Sequence, residues 1–438
     1  MSKRLQYIVV TVSTCLLLIL LLGTVLGRTS AADENAYRHF SVFAEVMAKI
    51  KGEYVEEPDM KSVALGALNG LLESLDPYAS FLSADQYKQY LKAQENKKAG
   101  VGLILSRRFG YVSVVDSIPG SPADTLNIQT GDILEAINGV SSRDMPLAYA
   151  EMLLLGDPGT TLEINLIRVR KSAEAVKVQL TRQNFPTPAV TSKMMPGEVG
   201  YLRIPGFDKG KSKEIAAKVA ELQRQGAKRL VLDVRNSALG PVEEGIEAAN
   251  LFVGKGQITS LVGQKVARQN FEADPAKQIY KDPVVVITNR GTAGGGELMA
   301  AAILDNKRGE VVGERSYGEA ALRKALTLED GSAVVLAVAK YHTPAGKAIP
   351  DHAVVPSLLV VDPDPPGDLD DETPPQPNAP VKQEEDLQLK RAIEVVTLGI
   401  EAAKKAAKEM ALKPSSDGPK PPSETILTPL GAPKRPER

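Results

Sequence analysis

Cysteine and histidine are almost missing from this chain: its 438 residues include one Cys and three His. No zinc-finger spacing can be built from so few ligands, and no metal or cofactor is expected. An excess of either charge is missing as well. Lys and Arg number 53 against 54 Asp and Glu, a net charge of −1, which leaves no electrostatic case for nucleic acid as a partner. The single Cys15 lies inside an uncharged apolar run, Tyr7 to Gly27, so the rest of the chain carries no thiol. That suits an oxidising compartment without requiring one. The run is long enough to span about 30 Å of hydrocarbon. Lys3 and Arg4 precede it, and Arg28 and Arg38 follow, diluted by Asp33 and Glu34. The positive-inside rule then places the N-terminus in the cytoplasm and the bulk of the chain outside. Ser30-Ala31-Ala32 could serve as a cleavage site, but the run exceeds the usual signal-peptide core. An uncleaved anchor is therefore the preferred reading of residues 1–35.

What is present is a chain with 43% hydrophobic and 24% charged residues, enough for two or three domains with real cores. Its most informative stretch is Val284 to Ala302, VVVITNRGTAGGGELMAAA. The β-branched run Val284–Ile287 predicts a buried strand. Gly294, Gly295 and Gly296 then open a helix whose apolar side is Leu298, Met299, Ala302 and Ile303. The first N–H groups of a helix are unpaired and its dipole is positive there, so such a turn suits a developing oxyanion. Yet the turn has no Ser or Cys to act as nucleophile. The glycines do not make a phosphate loop either: a Walker-type loop ends in Gly-Lys-Ser/Thr, whereas Glu297 follows here and would repel phosphate. Close backbone packing and helix initiation explain the glycines better.

The segment resembles the carboxyl-terminal processing, or tail-specific, proteases, which are Ser-Lys peptidases with the pattern Asn-x-Gly-Ser-Ala-Ser-Ala-Ser-Glu. Laid on this chain, that pattern covers Asn289, Gly291, Thr292, Ala293, Gly294, Gly295, Gly296 and Glu297, and the nucleophile position holds Gly294. The family's later Thr-Phe-Gly-Lys-Gly-x-Val-Gln motif falls on Ser316 to Arg323; its general-base Lys position holds Glu319 and its Gln position holds Arg323. Three further strings carry the resemblance: Leu75 to Leu82 (LDPYASFL), Gly200 to Phe207 (GYLRIPGF) and Leu230 to Asn236 (LVLDVRN). Tyr341, Pro344, Gly346, Ile349, Pro350 and Asp351 follow its Tyr-x-x-Pro-x-Gly-x-x-Ile segment. The family's Asn-Pro-Gly-Gly, which helps form the oxyanion hole, is degraded here to Ser237-Ala238-Leu239-Gly240. Gly240 and Gly295 mark the oxyanion region that the resemblance implies.

A Ser-Lys peptidase needs a hydroxyl to attack and a neutral amine to take its proton. Gly294 has no side chain to acylate, and Glu319 has no nucleophile to activate. Loss of one such residue costs on the order of 10⁴–10⁶ in rate. Three other residues offer replacements. Thr292 is offset by two residues and reads as a turn or cap residue. Ser316 falls where the family has a structural Thr. His342 with Glu319 suggests an acid–base pair, although His342 sits on an alternating strand with Val334, Leu336, Val338 and Lys340.

Residues 36–97 read as a helical region, with stripes at Phe40, Phe43, Val46, Met47 and Ile50 and at Val63, Leu65, Leu68, Leu71 and Leu72. Residues 98–185 resemble a PDZ domain. Gly100, Val101, Gly102 and Leu103 match its carboxylate-binding loop, and Ile118–Ala123 and Gly131–Gly139 match its other strings; such a loop offers backbone N–H groups to a peptide terminus. Residues 186–361 alternate strands (Gly200–Ile204, Leu230–Val234, Val284–Thr288, Val311–Gly313) with helices such as Lys213–Gln225. The resemblance implies a ClpP/crotonase-like core for them. Residues 362–385 and 414–438 are Pro-rich and read as disordered. Residues 386–413 read as one closing helix, solvated from Ala402 onward.

The expected fold is therefore an α/β ClpP/crotonase-like core with an inserted PDZ domain, an N-terminal helical region and one transmembrane segment. The expected function is that of an inactive family member, anchored in the bacterial inner membrane with its bulk in the periplasm or outside. Its expected partners are protein or peptide C-termini, the inner membrane and an active protease relative. The alternative is an active serine-type endopeptidase processing protein C-termini in the cell envelope.

Overall fold

The computed structural model describes residues 31–95, 99–108, 110–143, 145–168, 174–185, 188–361 and 385–411. The apolar run Tyr7–Gly27 and the Pro-rich segments lie outside these residues. Among the described residues no helix is long and apolar enough to cross a membrane. The chain divides at Leu71/Leu72 into two units. The first carries α1 (Ala31–Glu53) and most of α2 (Met60–Glu73). Asp59 opens α2 by accepting from the Lys61 N–H (3.0 Å) and the Ser62 hydroxyl (2.6 Å), as an N-terminal acidic side chain should.

The second unit begins with β1 (Ser80–Leu82) and α3 (Ala84–Glu95). The N-terminal region is thus not wholly helical, a correction to its sequence reading: Ser80–Leu82 pairs antiparallel with Ala333–Val335. Next comes an antiparallel module of β2 (Leu103–Arg108), β3 (Tyr111–Ser117), α4 (Pro122–Thr125), β4 (Ile133–Ile137), β5 (Val140–Ser141), α5 (Leu147–Leu154), β6 (Thr161–Ile167) and β7 (Ala175–Thr181). Its sheet order is β2-β3-β4-β6-β7, with β5 on β4. Alternating residues of β6, Leu162, Ile164 and Leu166, are fully buried, which is the period-two signature of a sheet with one face on a core.

The α/β core follows with β8 (Thr191–Met195), β9 (Val199–Arg203), α6 (Lys211–Arg224), β10 (Arg229–Asp233), α7 (Val242–Asn250), β11 (Gln257–Val262), β12 (Gln269–Glu272), β13 (Val284–Thr288), α8 (Gly295–Asp305) and β14 (Gly309–Gly313). It closes with β15 (Ala321–Thr327), β16 (Ala333–His342), α9 (Ile349–His352), β17 (Leu358–Leu359), α10 (Leu387–Leu398) and α11 (Ile400–Ala411). One sheet runs β17-β14-β13-β10-β9-β8 and is parallel except for the edge strand β8. A second, antiparallel sheet joins β1, β16, β11 and β12, with β15 on β16.

Both faces of the parallel sheet are covered, so β13 is buried at all five positions, as central parallel strands are. Leu230, Leu232, Val284 and Val286 face the cluster of α6, α7 and α8, while Val231, Val285 and Ile287 face α10. Helix α8 was expected to bury one side; Gly295 to Ile303 are all buried. The single closing helix is broken at Gly399 (φ 88°), and Ala403, expected to be solvated, is fully buried.

The C-terminal helix is tied to the sheet by charge. Arg235 places Nη2 2.7 Å from Asp233 Oδ2 and 2.8 Å from Asp386 Oδ2, and Tyr201 donates to Asp233 at 2.6 Å. Burial would raise the Asp233 carboxyl, but the hydrogen bonds and charge of Arg235, with Arg203 and Tyr201, hold it below the usual carboxylate range. Arg235→Ala strands a carboxylate that is 1% exposed, so it is expected to cost about 3–5 kcal/mol, read as a lower urea midpoint. An acid with a depressed folded pKa stabilises fully above its unfolded value of about 3.9 and loses that contribution as pH falls through the folded one. The midpoints of wild type and variant should therefore converge in acid.

Candidate active site

Strand β13 ends in a turn, residues 289–294, that is wired to its neighbour. Asn289 accepts from the N–H groups of Asn236 (2.9 Å) and Gly291 (3.0 Å), and the Ala293 N–H donates to Ser237 O at 3.2 Å. The turn delivers Gly294 at the N-cap of α8 with φ 54° and ψ −114°, a conformation that side chains resist. The three glycines differ. A Cβ on Gly295 would lie 2.9 Å from the Phe207 ring, and one on Gly245 of α7 would lie 2.4 Å from Gly295 Cα. A Cβ on Gly296 would meet Thr292 Cγ2 at 3.0 Å. Close packing thus explains Gly295 and Gly296. At Gly294 the nearest atom is Val242 Cγ1 at 3.7 Å, so the position aligned with the nucleophile is the open one.

Glu297, at the third position of α8, organises the rest. It is fully buried. Its Oε2 accepts from the N–H groups of Gly294 (3.1 Å) and Glu319 (2.8 Å), and its Oε1 from the Ser316 hydroxyl (2.5 Å) and the Gly318 N–H (2.6 Å). Gly294 and Glu319, far apart in the chain, therefore meet on one oxygen. Burial pushes the Glu297 carboxyl up to about 7 against these hydrogen bonds, which favour the anion. A glutamate three residues into a helix is a known capping signature; the sequence reading matched Glu297 to the family pattern and saw it as hostile to phosphate, but missed this role.

Glu319 stands at the position that the resemblance gives to the general base. Glu319 has a side chain one-fifth exposed and pairs with Arg323 at 3.2 Å. Burial raises its carboxyl, with Arg323 opposing. The guanidinium of Arg323 lies 3.8 Å from the Tyr78 ring centroid, a cation–π distance. The replacements read from the sequence are occupied. The buried Thr292 hydroxyl donates to Val234 O (2.8 Å) and accepts from the Asn289 N–H (3.0 Å). The Ser316 hydroxyl accepts from the Val354 N–H at 2.8 Å besides donating to Glu297. His342 Nδ1 sits 3.1 Å from Lys340 O, and Glu319 pairs with Arg323, so the structure does not bring those two together as an acid–base pair.

Gly240 and Gly295 both pack on Phe207, Gly240 (φ 101°) against its carbonyl and Gly295 against its ring. Beside them lies Asp208, which the sequence reading did not single out. Its Oδ2 is buried without a partner, and burial raises its carboxyl. In the antiparallel module, the Gly100 N–H donates to Gln183 O, Val101 O accepts from Ala123, and Gly102 O from Ile118. That leaves the amides of Val101 and Gly102 without a backbone acceptor among the described residues. Gly102 (φ 81°) is pressed on Ser121, where a Cβ would approach to 2.1 Å. Tyr78 and Tyr317, stacked edge-to-face at 6.3 Å, join the module's own apolar cluster, so the loop and the candidate catalytic segment share packing.

Glu297→Ala leaves four donors unmet, the Ser316 hydroxyl buried and the Gly294, Gly318 and Glu319 amides part-buried, and is expected to lower stability by about 3 kcal/mol. Glu297→Gln keeps the shape but in either amide orientation turns an NH₂ toward at least one N–H donor, so it should also be destabilising, by less than the Ala variant. Urea unfolding of both variants checks this, and a benign Gln variant contradicts the role given to the carboxylate.

Comparisons with known proteins agree with this geometry. Residues 198–360 match peptidase family S41 and residues 113–168 a PDZ domain. The chloroplastic C-terminal processing peptidase of Tetradesmus obliquus is 30% identical over 76% of this chain and 77% of its own length. Carboxy-terminal processing protease CtpA of Bacillus subtilis is 29% identical over 78% of this chain and 73% of its own. The structure of the photosystem II D1 C-terminal processing protease superposes with a TM-score of 0.60 at 28% identity, covering 73% of this chain and 86% of that one. With its S41 core and PDZ module, the chain belongs to the carboxyl-terminal processing protease family.

Proposed function

We propose that this chain is a catalytically inactive member of its family that recognises polypeptide C-termini through its PDZ domain. The observation that carries the reading is the pair of substituted positions on Glu297: an open site at Gly294 without a hydroxyl, and a carboxylate at Glu319 neutralised by Arg323. Attack on a peptide carbonyl needs a nucleophile beside a proton acceptor. The hydroxyls of Thr292 and Ser316 are committed to Val234 O and to Glu297. Asp208, next in the chain to the Phe207 on which Gly240 and Gly295 pack, holds an unpartnered carboxyl oxygen rather than a donor. The apolar run Tyr7–Gly27 supports anchoring in the bacterial inner membrane, with the bulk of the chain in the periplasm or outside. A protein that grips tails without cutting them suits an adaptor, or a regulator of an active relative.

Two measurements test this. Purified wild type, incubated with an unstructured protein, is expected to leave it intact; cleavage that survives ion-exchange polishing overturns the proposal and makes the chain an active endopeptidase. The triple variant Gly294→Ser, Glu319→Lys, Arg323→Gln should gain cleavage above that baseline, because the space for a side chain at Gly294 exists. Independently, a labelled peptide with a free C-terminus should bind at least about ten-fold more tightly than its C-terminal amide, since a hydrogen bond to a charged group contributes about 1.5–3 kcal/mol. Equal affinities remove the PDZ part of the reading.

A further inference from the structure

Arg182 directly follows β7, the last strand of the PDZ module, and is 8% exposed. Its guanidinium donates to neutral oxygens: Nη2 to Leu153 O at 2.8 Å, Nε to Leu154 O at 3.2 Å, and Nη1 to Thr161 O and Thr160 Oγ1 at 3.1 Å each. Leu153 and Leu154 end α5. The last carbonyls of a helix lack partners, and its dipole is negative there. Arg182 thus caps that end with a cation. None of these oxygens belongs to a carboxylate, so the charge is not cancelled on contact. The same residue stands behind the loop at Gly100–Leu103. Its side chain closes over Gly156, where a Cβ would lie 2.7 Å from Arg182 Cδ and 3.1 Å from its Cζ. Gly156 pairs with Ala99, donating its N–H to Ala99 O at 3.0 Å. Gln183, next after Arg182, pairs with Gly100 in both directions, at 3.0 and 3.3 Å. A Cβ on Gly100 would lie 3.5 Å from Leu155 Cδ2, just past the end of α5.

We infer that Arg182 is the positioning residue that makes this loop selective for an anionic terminus: it braces the loop against α5 and holds a buried positive charge behind it. The inference rests on the PDZ reading proposed above and names the source of its carboxylate preference. Strand β2 is an edge of its sheet, and α5 packs beside it. A peptide added to that edge brings its terminal carboxylate to the Val101 and Gly102 amides, at the C-terminal end of α5. Without a cation there, the carboxylate would meet the negative pole of a helix. Arg182 touches no ligand; it acts through the loop and through its field. A unit charge acting over about 12 Å at an effective dielectric near 20 changes affinity about ten-fold. Only Gly156 and the first two residues of the loop separate the guanidinium from the Val101 amide. Asp157 is exposed and offsets part of the charge.

Fluorescence polarisation with the full-length chain at low salt tests the inference. The probes are fluorescein-labelled pentapeptides ending in Ala, Val, Leu or Phe, each as the free acid and as the amide. Wild type is expected to prefer at least one acid over its amide by about ten-fold or more. Arg182→Gln should weaken that acid about ten-fold and leave its amide within about two-fold, so the preference collapses. A role confined to folding would lower the melting temperature and weaken acid and amide alike, and that pattern overturns the inference. Arg182→Lys keeps the charge but loses the planar fork; it should keep the preference even where both peptides bind more weakly. Asp157→Asn removes the offsetting charge and should tighten the acid about two-fold with the amide unchanged. Such a gain cannot arise from misfolding, so it decides the matter if Arg182→Gln fails to fold. A preference that survives Arg182→Gln, that is lost in Arg182→Lys, or that does not grow in Asp157→Asn overturns the inference and leaves the PDZ reading standing. A wild type that binds acid and amide alike overturns the PDZ reading, and this inference with it.

Discussion

One buried carboxylate holds the centre of this molecule together. Glu297 accepts four hydrogen bonds from two loops that the chain separates by one helix and one strand. An anion in a dry interior is costly unless its lone pairs are filled. Here the donors are mostly backbone amides, which cannot wander, so meeting the carboxylate also fixes the geometry of both loops. The segment 316–319 is further held by the Tyr317 N–H on Thr292 O and by Ser316 on Val354. The frame survives although the residues it presents are Gly294 and Glu319.

The two substitutions differ in physical character. At Gly294 the change subtracts: the backbone keeps a conformation that disfavours side chains, and the room for one remains. At Glu319 the side chain is acidic, and a basic neighbour compensates. Arg323 neutralises the acid and lays its guanidinium on Tyr78. A lone carboxylate at that depth would be unpaired, so the partner is a requirement of burial. The pair also joins the PDZ module to the core, since Tyr78 and Tyr317 belong to the module's apolar cluster.

The scaffold beneath this site is conventional in its energetics. A parallel sheet buried on both faces carries α6, α7 and α8 on one side and α10 on the other. The close approach of α7 to α8 at Gly245 and Gly295 sets the turn against its neighbour. The ion network of Asp233, Arg235 and Asp386 fastens the last helices over the open face. Such a network is strong only because Asp233 is buried and every oxygen is met.

Much of this was legible from residue order. The β-branched run before the glycines, the loop at Gly100–Leu103 and the absence of a hydroxyl at Gly294 are local or covalent facts, and no packing can alter them. The strand at Ser80–Leu82 was not legible, because three residues carry no period and their pairing partner lies in β16. Nor was the buried character of Ala403, which a solvated composition concealed. The sequence by itself determined that no hydroxyl or thiol stands at Gly294 and that residue 319 is a glutamate. Only the tertiary structure decided which glycine stands open, that Thr292 and Ser316 are committed elsewhere, and that Glu319 is paired with Arg323. Those answers depend on contacts between distant segments, which local patterns do not encode.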